Sequence, residues 1–417
     1  MARRSAVLLF CLLGLVSSAV AQVDGPEAIR ISLSEALGFA ALQNPAILEA
    51  GAAVREMEGL ARQSGAFRNP SLMVSHEPSW RDGDGYSETY LTLSQRLGRI
   101  GERRARQSEA QNLAAASRAA FLADSLDLTF QVGLAYLKAA SAEQRVDALA
   151  KMVDAFRLSD ETMREQLAEG EISGYSRRRL LVERARYTLE LARAQLAVRD
   201  ARRGLTRLIA PANSGSTYAP IRIEWEIPEV QTVEAYLKLA FSRRPVLDAA
   251  RLEVSAAEAG LQIARVTPRP DPTLTAGYKS QSDGFDGIVL GLSTPLPLVN
   301  RNRGATEAAR MRLLAAEIRA DAARYRIETE VRGAYDALVS AHAVFGELVD
   351  GALRDAGDLM TTAEAGYLEG EMSLLELLDA AQSTWVQQDL IIDLRASRLE
   401  AYLELLRTIG AGPDTFQ

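Results

Sequence analysis

Cysteine is all but missing from this 417-residue chain: there is one, and there are only two histidines. So small a supply of soft ligands excludes a zinc or thiolate centre. Positive charge is not in excess either, with Lys+Arg 48 against Asp+Glu 55, a balance that argues against a nucleic-acid binder. Apart from the first residues there is no run of 18 apolar side chains, so no membrane-spanning helix is predicted. Glycine and proline together are about a tenth of the chain, too few for a collagen-like or linker-like sequence. Proline is also unevenly placed: 132 residues separate Pro78 from Pro211, and 115 separate Pro297 from Pro413. Helices can run unbroken through such gaps.

What is present is 47% hydrophobic and 25% charged, the composition of a folded chain. Roughly one residue in six is Ala, the strongest helix former. Arg3 and Arg4, the apolar run from Ala6 to Val16 and the small-residue site Ala19-Val20-Ala21 predict a secretory signal over residues 1–21, cleaved before Gln22. The mature chain then has 46 basic against 55 acidic residues, a net charge of −9, and no cysteine, because Cys11 leaves with the signal. Cys11 lies inside the apolar run, so lipidation is not expected. Without disulfides, an exported chain must be held by packing or by assembly.

The chain is written twice at an offset near 200 residues. Asn44-Pro45-Ala46-Ile47-Leu48 falls on Arg244-Pro245-Val246-Leu247-Asp248, Asn69-Pro70-Ser71-Leu72 on Asp271-Pro272-Thr273-Leu274, and Leu134-Ala135-Tyr136 on Gly333-Ala334-Tyr335. The closest match is Glu169-Gly170-Glu171-Ile172-Ser173 on Glu369-Gly370-Glu371-Met372-Ser373. The expected division is a first repeat over 22–210, with a β-hairpin near 71–96 and a long helical hairpin near 102–209. A linker follows over 211–231, then a second repeat over 232–410, with a hairpin near 272–295 and helices near 303–409, and a tail over 411–417. A unit of about 200 residues is far too long for a solenoid repeat.

Glu102 to Ala168 and Arg303 to Leu368 read as almost uninterrupted helices, each on the order of 100 Å long. Leu149, Val153, Phe156, Asp160, Met163 and Leu167 step by four and three, as do Val349, Leu353, Ala356, Met360, Ala363 and Tyr367. That stripe fits coiled-coil packing or the buried face of a bundle equally well. At the reversals, Gly170 and Gly370 suit a helix end, and Ser173 and Ser373 suit the start of the returning helix. The flanking Glu169, Glu171, Glu369 and Glu371 are either solvated caps or, with copies gathered around an axis, acidic rings that concentrate cations.

Four short strands remain. In the second half Leu274, Ala276 and Tyr278 alternate with polar neighbours, as do Ile288, Leu290 and Leu292; the first half is weaker, with Leu72 and Val74, then Leu91 and Leu93. These ten residues are the candidates for a lipid-facing surface. Arg81-Asp82-Gly83-Asp84-Gly85 and Ser282-Asp283-Gly284 form turns, with Trp80, Tyr86, Tyr278 and Phe285 near them, where an interfacial girdle would place aromatics. Four strands cannot close a transmembrane barrel, whose minimum is about eight. Open edges in lipid are prohibitively costly, so copies must share the barrel. Two copies would give a filled eight-stranded barrel and three a twelve-stranded one with a lumen. A soluble pair of hairpins on a helical body would use the same strands.

The duplicated plan, the paired Glu-Gly-Glu-x-Ser tips and the run Leu374-Leu375-Glu376-Leu377-Leu378-Asp379-Ala380-Ala381-Gln382 resemble the TolC-type outer-membrane efflux family. Gln95-Arg96-Leu97-Gly98-Arg99-Ile100-Gly101-Glu102-Arg103-Arg104 and Pro295-Leu296-Pro297-Leu298-Val299-Asn300-Arg301-Asn302-Arg303-Gly304 resemble the strand-to-helix joints of its heavy-metal (cobalt-zinc-cadmium) branch. The resemblance implies a mainly α protomer with a small β part, and a homotrimer with a twelve-stranded barrel in outer-membrane lipid above a periplasmic helical barrel. It also implies tips that meet a periplasmic adaptor and, through it, an inner-membrane pump of the resistance-nodulation-division type. Arg96 departs from the family pattern, which has a small residue or proline there. On this reading the protein conducts and does not catalyse: no Ser/His/Asp or Cys/His set is present, and no cofactor is expected. His76 and His342 are solitary and read as structural. A protein-secretion duct and a periplasmic coiled-coil adaptor are the alternatives.

Overall fold

The computed structural model describes residues 28–82, 84–170, 172–210, 215–221, 227–349 and 359–412. The signal segment, Gly83, Glu171, the stripe residues Leu353 and Ala356 and the end of the tail lie outside them. β1 (Ile29–Ile31) leads into α1 (Leu33–Gln43) and α2 (Pro45–Ser64), followed by β2 (Ser71–Arg81), β3 (Asp84–Arg96), α3 (Glu102–Glu169) and α4 (Gly174–Ile209). After β4 (Tyr218–Pro220) the order returns as α5 (Val233–Arg243), α6 (Pro245–Val266), β5 (Thr273–Gln281), β6 (Asp286–Ser293), α7 (Arg303–Glu347), α8 (Leu359–Leu368) and α9 (Leu374–Ile409). No helix among the described residues is long and apolar enough to cross a membrane.

α3 has 68 residues, so it is about 100 Å long, as its proline-free sequence predicts. Its second-half counterpart is described in two pieces, α7 and α8. α7 runs for 45 residues, Leu348 and Val349 continue in a wider π-type turn, residues 350–358 lie outside the described residues, and α8 is described from Leu359. A π turn inserts a residue into the ladder and shifts the helix phase, an interruption that the continuous 4-3 stripe did not foretell.

The linker is also more structured than expected. Its Tyr218, Ala219 and Pro220 pair in parallel with Ile29, Arg30 and Ile31. Tyr136, midway along α3, locks this small sheet: its hydroxyl donates to the Ile31 carbonyl at 2.9 Å and accepts from the Ile221 N–H at 3.0 Å. A core of Ile31, Ala36, Leu37, Val132, Leu205 and Ile209 closes around it. The second half builds an equivalent core from Tyr236, Ala240, Ile327, Val331, Leu338 and Leu405. There the duplicated tyrosine, Tyr335, packs against the Tyr236 ring.

Toward the hairpin tips a third core holds Leu149, Met152, Phe156, Met163, Leu180 and Tyr187, with the Phe156 and Tyr187 rings stacked at 5.2 Å. Asp160 sits in the same stripe and is only 4% exposed. Its carboxylate takes the Arg177 Nε at 2.9 Å and lies 3.8 Å from Arg184, both on the returning helix α4. Arg164 on its own helix lies 3.6 Å away as well, but a buried charge in a seam of this kind favours one register of the two helices, because sliding would remove both partners on α4. Asp160→Asn is therefore expected to cost about 1–3 kcal/mol, read as a lowered thermal midpoint of the detergent-solubilised protein. An unchanged midpoint would return Asp160 to an incidental position.

Candidate functional site: sheet faces and hairpin tips

The two β-hairpins join edge to edge in one four-stranded antiparallel sheet, ordered β2-β3-β5-β6. Register brings the apolar candidates into rows: Leu72, Leu93, Ala276 and Leu290 in one, Val74, Leu91, Tyr278 and Ile288 in the next, and Leu274 opposite Leu292. All ten therefore share a face. That face is bare, with Leu72 at 68% and Ile288 at 81% exposure. Close pairing of β3 and β5 depends on Gly277, since a Cβ there would lie 2.4 Å from the Leu91 carbonyl oxygen.

The opposite face is polar, and the sequence reading missed how it is organised. Glu88 is its hub: Lys279 Nζ and Gln281 Nε2 donate to it at 2.8 and 2.7 Å, and the hydroxyls of Tyr86 and Tyr90 donate as well. Four side chains from two strands thus converge on one carboxylate. Tyr86 does not belong to the girdle expected near the turns, because it stands on this polar face, whereas Trp80 and Tyr278 stand on the apolar one. The alternation signal was available: Tyr86, Glu88 and Tyr90 are two residues apart. His76 lies within β2 on the apolar face, its Nδ1 2.9 Å from Thr89 Oγ1, and His342 lies in α7. No group of three or more His, Cys, Asp or Glu that could hold a metal ion occurs among the described residues.

The two tips are built alike up to their caps. Gly170 and Gly370 adopt left-handed conformations, with φ of 79° and 77°, that L side chains rarely take. The Gly170 N–H returns to the Leu167 carbonyl, and those of Glu371 and Met372 return to Gly366. Glu169, Glu369 and Glu371 are exposed, and Glu171 lies outside the described residues. Ser173 caps α4 by accepting from Ser176 N. Ser373 goes further and forms a reciprocal box with Glu376, whose carboxylate accepts from the Ser373 N–H at 2.7 Å while Ser373 Oγ accepts from Glu376 N. The sequence Ser-Leu-Leu-Glu already contained that box, whereas the first tip has Ser176 at the matching place.

A four-stranded sheet with one bare apolar face, hung on helical hairpins of this length, is the protomer fold of TolC-type channels. Comparison with known proteins agrees. Residues 236–411 match the family model described as outer membrane efflux protein. The cobalt-zinc-cadmium resistance protein CzcC of Cupriavidus metallidurans is 25% identical over 403 residues, covering 94% of this chain and 95% of that protein. Among solved structures, a CusC crystal structure superposes with a TM-score of 0.74 at 18% identity, covering 94% of this chain and 96% of that one. The outer membrane protein VceC of Vibrio cholerae superposes with 0.73 at 21%, covering 91% and 96%. Together these give the chain the fold of outer-membrane efflux channels, with the family model matched over its second half.

The caps give a pH-dependent difference between the tips. Hydrogen bonds from Ser373, the backbone N–H foremost, hold the Glu376 carboxyl below its ordinary value of 4.5. A carboxylate so depressed stabilises the fold above its unfolded value and ceases to do so as pH falls through the folded one. Lowering pH from about 6 to about 3.5 is expected to reduce hydrogen-exchange protection at residues 374–377 more than at 174–177, whose cap has no carboxylate. Equal losses at both tips would contradict this.

Proposed function

We propose that the protein is the outer-membrane exit duct of a tripartite efflux system, a homotrimer that passively conducts substrate from periplasm to exterior, with heavy-metal cations as the favoured cargo. The observation that supports this best is the sheet: β2 and β6 are its outer edges, with no further strand beside either within the described chain, and one face is apolar and bare. Copies set edge to edge would satisfy both edges. Three would surround a lumen, with the Glu88 face turned inward. Two unpartnered helix stripes fit the same ring. Tyr175, Val182, Leu189 and Leu196 recur every seven residues on α4, and Met311, Ile318 and Tyr325 do so on α7, all exposed in the single chain. Seven-residue spacing is what side-by-side packing of long helices requires.

The tips would dock a periplasmic adaptor and, through it, an inner-membrane pump of the resistance-nodulation-division type. The cargo reading draws on relatives whose names specify cobalt, zinc and cadmium resistance or cation efflux. Such a duct needs no cation-binding centre of its own, since passage is faster when ions are guided by charge and width than when they are bound and released. Residues 1–21 serve on this reading as the export signal.

Heat-sensitive trimers in outer-membrane fractions, together with raised cobalt, zinc or cadmium sensitivity of a deletion strain, are the expected results; an exclusively soluble monomer would refute the duct. For the tips, replacing Glu169, Glu171, Glu369 and Glu371 by Gln should lower cation preference in planar-bilayer recordings. Unchanged selectivity would make those acids solvated caps only.

A further inference from the structure

The apolar face of the sheet is short for its task. From the row of Leu274 and Leu292 to the row of Tyr278 and Ile288 is four residues, about 14 Å along a strand, against the roughly 25 Å of an outer-membrane belt. On the turn side the face becomes polar at His76, Thr89, Ser280 and Asp286, which share the next row. Trp80 and Phe285 are bare beyond that row, and further apolar height is available at the other end, where the strands give way to the long helices. Both connections there are apolar and bare: Leu97 and Ile100 in the first, Leu296, Leu298 and Val299 in the second, the last 97% exposed.

Arginine follows the apolar residues each time, as Arg103, Arg104 and Arg106 after the first connection and Arg301 and Arg303 after the second. The first turn of a helix is the positive end of its dipole, so cations there are unfavourably placed unless an anion joins them. A cavity of about 450 Å³ opens at this point, with Phe67, Leu97 and Ile100 in its lining beside Arg68, Arg96 and Arg99. Its acids are already engaged. Buried Asp271 takes Arg96 at 2.7 Å and Arg99 at 3.5 Å, and Glu102 takes Arg99 and Arg106. Arg103, set 4.5 Å over the Phe67 ring, and Arg104 have no carboxylate partner among the described residues. The site thus keeps a surplus of positive charge next to exposed hydrocarbon, at the level where the apolar surface of the barrel ends.

We propose that this junction binds a phospholipid of the periplasmic leaflet, with its phosphate on Arg103 and Arg104 and its acyl chains along Leu97, Ile100 and the Leu296–Val299 connection. The apolar belt then continues below the strands, and the arginine pairs mark the phosphate plane. The inference rests on the outer-membrane reading above and deepens it.

The test is native mass spectrometry of the full-length protein purified in detergent, titrated with dioleoyl phosphatidylglycerol, dioleoylglycerol or inorganic phosphate. Phosphatidylglycerol should be retained well above the other two, and Arg103→Gln with Arg104→Gln should weaken its retention about tenfold, since two charge-assisted contacts are lost. Neither arginine makes an ion pair among the described residues, so the variant should fold; Leu298→Ser with Val299→Ser, which leaves the charges intact, should weaken retention too. Equal retention of dioleoylglycerol, or tight binding of phosphate alone, overturns the lipid site while leaving the duct intact. A chain that does not fractionate with the outer membrane overturns the reading beneath both.

Discussion

Inside a bilayer a backbone N–H or C=O has no water to bond, and each one left unpaired costs several kcal/mol. That single constraint orders the rest of this molecule. Its four strands satisfy one another internally and leave their outer edges to be met by something else. Everything hung below the sheet is consistent with that incompleteness: long helices with bare stripes, one connection per hairpin that stays apolar, and small cores distributed along the length instead of one central core. A chain folded for its own sake would have spent those hydrophobic surfaces on itself.

Where long helices pack side by side, apolar stripes tolerate sliding, and polar contacts prevent it. Asp160 with Arg177 sets α3 against α4 near the tip, and Arg145 with Asp389 sets α3 against α9 higher up. Arg244, itself mostly buried, joins the start of α6 to Glu330 on α7 and to the Arg407 carbonyl on α9. Tyr136 performs the same service for the small parallel sheet. None of these pairs need add much net stability, because desolvation offsets attraction, but each makes the wrong alignment expensive.

Much of the architecture was legible in the sequence because it follows from local rules. Gaps between prolines gave the helices, period-two alternation gave the strands, and Gly170 and Gly370 gave the reversals. The ten apolar strand residues fell on one face because side-chain parity is fixed once a strand is fixed. What escaped depended on contacts distant in sequence. Asp160 falls inside a packing stripe, and beyond its local partner Arg164 its burial depends on Arg177 and Arg184 approaching from the next helix. The convergence on Glu88 needs Lys279 and Gln281, nearly two hundred residues away. The pairing of Tyr218–Pro220 with Ile29–Ile31 joins segments with too little pattern to declare themselves. The capping box at Ser373 is local and legible as Ser-Leu-Leu-Glu, although the shared Glu-Gly-Glu-x-Ser pattern makes the two tips look equivalent.

The two edges of the sheet are different strands, so the proposed ring would close head to tail, each β6 meeting the β2 of the next copy. Interfaces of this kind make every member indispensable. A variant damaged at one edge alone would still enter assemblies through its sound edge and leave them open. Produced in equal amounts with the intact chain, it would leave only about one three-membered ring in eight free of it. Lesions confined to β2 or β6 should thus behave genetically as dominant, while lesions that unfold the whole chain, and so keep it out of the ring, should be recessive.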